Sequence, residues 1–104
     1  MTFLDAVTAR QRKTHSMLCV GLDPDPNRFP DGYGADVADI LRFNRMVIDA
    51  TADYACCVKP QYAHYAAHSA EAALEGTIEY AHSIGLPVLL DVKRADIGST
   101  AEYY

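Results

Sequence analysis

The chain has 104 residues, of which 50% are hydrophobic, and a formal net charge of −5. This length suits one small domain, and the hydrophobic content excludes wholesale disorder. The acidic balance argues against nucleic acid as a main partner, although a small anionic substrate needs only a local positive pocket. Because the sequence shows neither an apolar run of about 20 residues nor a signal-peptide pattern, we expect a cytoplasmic protein.

Strands and helices are predicted in alternation along the chain. Residues 2–14 are expected to form a helix that begins with a capping box of Thr2 and Asp5. The elements predicted after it are a buried strand at 17–22, a helix at 36–52, a strand at 53–58, a helix at 62–83 closed by Gly85, and a strand from Leu86. Strand centres lie about 35 residues apart, which indicates a repeating βαβ unit with parallel strands.

Several polar residues fall inside these predicted elements. Asn44 lies on the apolar stripe of the helix at 36–52, where it is either a core amide or a ligand contact; we favour the core amide. His64 and His68 have the spacing of a metal pair, but no carboxylate accompanies them at helical spacing, which favours packing or surface roles. The cysteines show neither a disulfide framework nor zinc spacing and are predicted to be buried: Cys19, Cys56 and Cys57.

Each predicted strand ends in charged residues. Asp23 follows the first strand, Lys59 ends the second, and Asp91 and Lys93 follow the third, with Asp96 in the loop after them. Because the carboxyl ends of parallel strands lie at one edge of a sheet, these groups can converge there. Local spacing alone is also compatible with a structural ion-pair cluster. Their convergence leads us to predict an active site.

An α/β fold of this kind is either an open doubly wound sheet or part of a (β/α)8 TIM barrel. The segment GLDPDP after the first strand lacks the glycine pattern of a dinucleotide-binding turn, which favours the barrel. Since a full barrel takes about 250 residues, the chain would cover about the first three βα units. We therefore predict that residues 1–104 are a single domain and an apparently truncated N-terminal part of a barrel, with an open sheet edge and exposed apolar surface.

Four segments resemble orotidine 5′-phosphate decarboxylase, in particular its longer bacterial subgroup. They are LCVGLDPDP, FNRMVIDATADY, VKPQYA and VLLDVKRADIGSTAEYY, and they span nearly the whole chain in order. The last is the most specific. After the KPQ segment, relatives tend to have aromatic residues and a glutamate, where this chain has His64, Tyr65 and Ala66. We expect that departure to leave the charged residues unaffected.

The resemblance implies a homodimeric enzyme that removes CO2 from orotidine 5′-monophosphate to give UMP, with no metal or organic cofactor. It assigns Asp23 and Lys59 to the ribose hydroxyls and pairs Lys59 with Asp91, which would face the substrate carboxylate. Lys93 would protonate C6 of the pyrimidine. Two residues would reach into the partner subunit's site and bind its ribose: Asp96 and Thr100. The family's phosphate-binding loop and arginine lie beyond residue 104, so we expect this chain alone to be inactive.

Three other interpretations remain open at this point. A related barrel uses a D-x-K-x-x-D motif with Mg²⁺ on sugar phosphates, as in hexulose-phosphate synthase or ketogulonate-phosphate decarboxylase, but KRADIGST and VGLDPD speak against it. An aldolase that forms a Schiff base on lysine is a further, less favoured enzyme. From a different class, the chain could be a non-catalytic half-barrel that requires a separate partner chain.

Overall fold

The computed structural model of the protein describes residues 2–92, which form four α-helices and two named strands. In chain order these are α1 (Phe3–Thr14), β1 (Leu18–Leu22), α2 (Val37–Thr51), β2 (Ala55–Pro60), α3 (Tyr62–Ala67) and α4 (Glu71–Ser83), with a short 3-10 helix at Pro26–Arg28. This order confirms the predicted α/β class. Within the described residues, every helix is too short or too polar to cross a membrane.

The first two helices begin at side-chain caps, and the cap of α1 is the predicted one. The Asp5 amide donates to the Thr2 hydroxyl at 3.1 Å, and the Thr2 amide donates to the Asp5 carboxylate at 3.2 Å, which confirms the capping box. Asp36 caps α2 by accepting from the Asp39 amide at 2.8 Å. Short polar side chains therefore fix both helix starts, because they satisfy amides that lack a partner in the first turn.

Strands β1 and β2 pair in parallel, as the βαβ spacing predicts. Val20 pairs with Val58 and Leu22 pairs with Pro60, so the two strands end at the same level. A crossover of this kind places α2 against one face of the sheet. The carboxyl ends of β1 and β2 consequently form one edge.

The predicted third strand is present as a parallel segment at 87–91, bonded to β2 at isolated bridges. The Val58 amide donates to Pro87 at 3.0 Å, and the Leu89 amide donates to Val58 at 2.9 Å. Further along, Gln61 and Asp91 form a second parallel bridge. This segment thus lies beside β2 on the side opposite β1 and continues the sheet.

The prediction of one helix over 62–83 is wrong, because the chain turns at Ser69 and starts a new helix. Ser69 has the left-handed φ of 50°. Its amide donates to Ala66 at 3.1 Å, and the Ala70 amide donates back to Tyr65 at 2.8 Å. These two bonds are the Schellman pattern that closes helices, here with serine where glycine is usual. At the end of α4, Gly85 has φ 76° and the predicted closing role is confirmed.

The core lies between the sheet and helices α2 and α4. Its fully or almost fully buried side chains come from both strands, both helices and the segment after α4: Leu22, Ile48, Ala55, Val58, Ala81 and Leu86. The other face of the sheet is open in the described residues, with Leu89 46% exposed. The predicted exposed apolar surface is therefore present. Cys56 and Cys57 are buried as predicted, but the prediction for Cys19 is wrong, since it lies exposed on β1 at the open face.

Candidate active site

The pair formed by Lys59 and Asp91 is the centre of the charged edge. The Lys59 Nζ lies 3.9 Å from Asp91 Oδ2, with the two side chains 41% and 17% exposed. A charge-assisted hydrogen bond is typically about 1 Å shorter. The two groups therefore attract each other at a distance longer than a short hydrogen bond, which leaves room for a ligand at the ammonium.

Backbone bonds on both sides hold Asp91 in place beside β2. Its amide donates to the Pro60 carbonyl at 2.9 Å, and its carbonyl accepts from the Tyr62 amide at 2.7 Å. Asp91 is thus anchored where β2 passes into α3. A carboxylate on an anchored backbone is preoriented, which is a requirement for electrostatic catalysis.

Asp23 reaches the same edge from β1. Gly21 is the register partner of Lys59, and a Cβ on Gly21 would lie 3.5 Å from the Asp23 Oδ2 atom. The Asp23 carboxylate therefore lies over Gly21, on the side of the sheet that carries Lys59. Because Gly21 has no side chain, the space between these two charged residues stays open.

A buried polar network supports the end of β1 from the helix side. The Tyr65 hydroxyl donates to the Leu22 carbonyl at 2.8 Å, directly before Asp23. Asn44 Nδ2 donates to the Tyr65 hydroxyl at 3.0 Å and to the Thr77 hydroxyl at 3.0 Å. Asn44 is fully buried with its Nδ2 satisfied, as the core-amide interpretation predicts, whereas its Oδ1 has no hydrogen-bond partner among the described residues. The network joins helices α2, α3 and α4 to the residue preceding Asp23.

Tyr65 is the residue of this site that sequence analysis missed. It was noted only as a departure from the relatives and expected to leave the charged residues unaffected, yet its hydroxyl bonds to the residue beside Asp23. Burial raises the pKa of Tyr65 above its ordinary value, the hydrogen bond from Asn44 lowers it, and the nearby Asp23 charge raises it. Tyr65 therefore remains a neutral hydrogen-bond donor at physiological pH. No local pattern marks it, because its partner is 43 residues away.

An aromatic cluster orders the loop that follows Asp23. Phe29 stacks on Phe43 of α2 with ring centroids 4.3 Å apart, and the Arg42 guanidinium lies 3.8 Å from the centre of the Tyr33 ring. Arg42 also donates to the Gly32 carbonyl at 2.7 Å. These contacts with α2 limit the motion of the loop. The backbone after Asp23 is therefore held by β1 on one side and by α2 on the other.

The structure brings together three of the predicted site residues at one edge: Asp23, Lys59 and Asp91. The other three lie outside the described residues: Lys93, Asp96 and Thr100. No group of three or more His, Cys, Asp or Glu side chains able to hold a metal ion occurs within 2–92. What the described edge offers is one ammonium between two carboxylates, an arrangement suited to ligand hydroxyls and to developing negative charge.

Comparisons with known proteins give the same family over most of the chain. The family model described as "Orotidine 5'-phosphate decarboxylase / HUMPS family" matches residues 16–104. Orotidine 5′-phosphate decarboxylase of Albidiferax ferrireducens is 53% identical over the whole chain, and that of Polaromonas naphthalenivorans is 50% identical. The chain spans 37% and 38% of the lengths of these two relatives.

Solved structures share the fold at lower identity. Leishmania donovani OMP decarboxylase is 36% identical with a TM-score of 0.69, over 98% of this chain and 37% of that one. Leishmania donovani UMP synthase is 38% identical with a TM-score of 0.70, over 98% of this chain and 21% of that one. With its parallel strands and intervening helices, the described part of the chain is the N-terminal portion of a (β/α)8 barrel. The chain belongs to the orotidine 5′-phosphate decarboxylase / HUMPS family.

Proposed function

We propose that this chain supplies the N-terminal part of an orotidine 5′-phosphate decarboxylase, a carboxy-lyase that converts orotidine 5′-monophosphate to UMP and CO2 in pyrimidine biosynthesis. The observation that carries the proposal is the Lys59–Asp91 pair, 3.9 Å apart at the carboxyl end of parallel strands in a member of this family. The identity of about half to relatives named for this activity supports it.

The proposed roles follow from charge and position. Decarboxylation leaves an electron pair on C6 of the pyrimidine, and this carbanion is the difficult species. Lys93 is proposed to stabilise it and then to donate a proton to C6. Asp91 faces the departing carboxylate, while Lys59 is held by Asp91 and donates to the ribose. Asp91 precedes Lys93 by two residues, so its carboxylate is proposed to balance the ammonium charge that Lys93 uses in this step.

Ribose recognition is the proposed role of the residues flanking this row. Asp23 accepts from a ribose hydroxyl at the end of β1, where the Tyr65 network holds the backbone. Asp96 and Thr100 are proposed to bind the ribose in the partner subunit's site, which makes the active protein a homodimer. We propose no metal or organic cofactor, a cytoplasmic location, and residues 1–104 as one structural unit of the barrel.

The proposed activity depends on segments beyond those in this chain. Binding energy from a remote phosphate normally supports catalysis at the reacting carbon, and the resemblance assigns phosphate binding to residues after 104. Together with the coverage of less than two fifths of the relatives, this predicts that the 104-residue chain alone has no substantial decarboxylase activity. Turnover by the purified chain would contradict this prediction.

The test is a chimera in which this chain replaces the matching N-terminal segment of the Albidiferax ferrireducens relative. We expect the chimera to restore growth of a pyrimidine-auxotrophic bacterium that lacks its own orotidine 5′-phosphate decarboxylase, and to release CO2 from orotidine 5′-monophosphate in vitro. The matched control is the same chimera with Lys93→Ala, which should fold equally and fail in both assays. A folded chimera without activity would overturn the proposal.

A metal-dependent enzyme of the same barrel type is the second candidate, because the family name also covers HUMPS proteins. It predicts that Mg²⁺ and a sugar phosphate are required for turnover. The decarboxylase proposal predicts that activity on orotidine 5′-monophosphate survives complete chelation of divalent cations with EDTA. The two candidates are therefore separated by assaying the chimera on orotidine 5′-monophosphate with EDTA and on a sugar phosphate with Mg²⁺.

A further inference from the structure

One buried hydroxyl is bonded to the peptide group that carries Asp23. Tyr65 donates to the Leu22 carbonyl at 2.8 Å, and this carbonyl belongs to the planar peptide unit that joins Leu22 to Asp23. Leu22 and Pro24, on either side of Asp23, are both buried. The direction in which the Asp23 side chain leaves the backbone therefore depends on where Tyr65 holds this peptide unit.

The direction of each hydrogen bond behind Tyr65 follows from the number of protons available. The Tyr65 and Thr77 hydroxyls have one proton each, which they donate to the backbone carbonyls of Leu22 and Ala73. Toward Asn44 both hydroxyls can only accept, so the Asn44 Nδ2 group donates to each of them at 3.0 Å. The Asn44 amide thus holds the Tyr65 hydroxyl in the orientation that points its proton at β1.

This network lies on the side of the sheet that the helices cover. Tyr65, Asn44 and Thr77 come from α3, α2 and α4, and each is fully buried. Burial raises the pKa of Tyr65, the hydrogen bond from Asn44 lowers it, and the charge of Asp23 raises it, so the carboxylate and the hydroxyl lie near each other. A change at this hydroxyl can therefore reach Asp23 through the packed side of the molecule.

We infer that Tyr65, held by Asn44, is a positioning residue that sets where the Asp23 carboxylate meets a hydroxyl of the substrate's sugar; this rests on the proposed function, which assigns ribose binding to Asp23. A hydrogen bond from a hydroxyl to a carboxylate needs an oxygen separation of about 2.5–2.7 Å and weakens steeply when misaligned. Without the Tyr65 hydroxyl, the peptide unit is freer to rotate and the carboxylate is less often in the binding position. Because Tyr65 is fully buried, it acts only through Asp23.

Thr77 is the matched control that the network offers. Like Tyr65, it is fully buried and accepts from Asn44 at 3.0 Å. Its proton goes to the Ala73 carbonyl within α4, at 2.7 Å, and not to β1. Thr77→Val and Tyr65→Phe each delete one buried hydroxyl of the same network, but only Tyr65→Phe deletes a bond to the peptide unit of Asp23.

The test is a double-mutant cycle in the chimera, with Tyr65→Phe and Thr77→Val each introduced alone and together with Asp23→Ala. Decarboxylation of orotidine 5′-monophosphate is assayed at a temperature at which circular dichroism shows every variant to be folded. We expect Tyr65→Phe to lower kcat/KM about tenfold beside an intact Asp23, and less than about twofold in the Asp23→Ala background. Thr77→Val should change kcat/KM less than about twofold in either background.

Hydrogen exchange on the same chimera gives a second readout that needs no turnover. Tyr65→Phe should accelerate exchange about tenfold in the peptide that contains Leu22 and Asp23, because the backbone there opens more often. Thr77→Val should leave the exchange of that peptide unchanged, although it deletes a buried hydroxyl of the same network.

Three results would overturn the inference: an equal loss of kcat/KM from Tyr65→Phe in both Asp23 backgrounds, no loss in either, or equal effects of Tyr65→Phe and Thr77→Val. Failure of the proposed function has a different signature, since a folded parent chimera would then release no CO2. In that case hydrogen exchange still decides whether Tyr65 positions Asp23, and equal exchange in Tyr65→Phe and Thr77→Val would show that it does not.

Discussion

The two faces of the sheet are built from the same strands but are covered by packed side chains to different degrees in the described residues. On the helix-facing side, Ile48 and Val58 are fully buried and the Asn44–Tyr65–Thr77 network is closed to solvent. On the open side, Cys19 and Leu89 remain exposed beside Lys59 and Asp91. Successive residues of one strand thus alternate between structural and chemical roles.

Neighbouring residues of β2 face opposite sides of the sheet, so a substitution in this strand should affect mainly stability or mainly activity, according to the side that it faces. Val58 contributes to the core with α2 and α4, whereas Lys59 beside it faces the open side. A substitution on the helix-facing side should lower the free energy of unfolding, and one on the open side should lower activity instead. The predictions that follow test this separation, beginning with the largest expected effect.

Lys59→Ala in the chimera should lower kcat/KM about 10³-fold, or about 4 kcal/mol of transition-state stabilisation, because it removes a preorganised donor at the reacting edge. Its urea midpoint should remain near that of the parent, since Lys59 is partly exposed. Steady-state decarboxylation and circular dichroism measure the two effects. Lys13→Ala, on the exposed end of α1, is the control and should change neither. If Lys59→Ala lost stability as well as activity, the proposed division of roles between the two faces of the sheet would be wrong.

Ile48→Ala should destabilise the 104-residue chain by about 3 kcal/mol, because it leaves a cavity where α2 packs on the sheet. Leu89→Ala, at a side chain 46% exposed on the open face, should cost less than about 1 kcal/mol. Urea unfolding followed by circular dichroism provides both values. Similar losses from the two substitutions would show that the open face is packed in solution.

Tyr65→Phe should destabilise the chain by about 1–2 kcal/mol at neutral pH, because the Leu22 carbonyl loses its donor and Asn44 loses an acceptor. The raised pKa of Tyr65 means that its contribution is present below the unfolded pKa of about 10 and is lost as pH rises above it. Urea unfolding at neutral and alkaline pH should show a shallower alkaline loss in Tyr65→Phe than in the parent. Tyr54→Phe, at a side chain 66% exposed, should keep the parental slope.

Ser69→Gly should stabilise the chain by about 0.5–1 kcal/mol, since glycine adopts the left-handed conformation without the steric penalty of a Cβ. Gly85→Ala, at the equivalent closing position of α4, should destabilise by about 1 kcal/mol. Thermal unfolding of the two variants beside the parent measures the difference. A destabilised Ser69→Gly would indicate that the turn between α3 and α4 depends on the serine side chain.

Short-range signals in the sequence were sufficient for the elements and for the convergence of charge. The capping box of Thr2 and Asp5 predicted the start of α1, and the order of the parallel strands predicted that their charged ends would converge. The pairing of Lys59 with Asp91 came from the resemblance. The break at Ser69 was not predictable from local composition, because the segment AAHSAEAAL contains neither glycine nor proline. Tyr65 was missed for a different reason, since its partners come from β1 and α2 and only the folded chain brings them together.

The buried guanidinium of Arg10 sets an order of events during protein synthesis. It donates from α1 to the carbonyls of Ala52 and Ala55, at the turn that leads into β2. Helix α1, which precedes these residues in the chain, therefore lacks this anchor until the chain through Ala55 has followed it. A nascent chain stalled before that residue would present α1 without its anchor, and α1 would become resistant to proteases only once β2 had emerged.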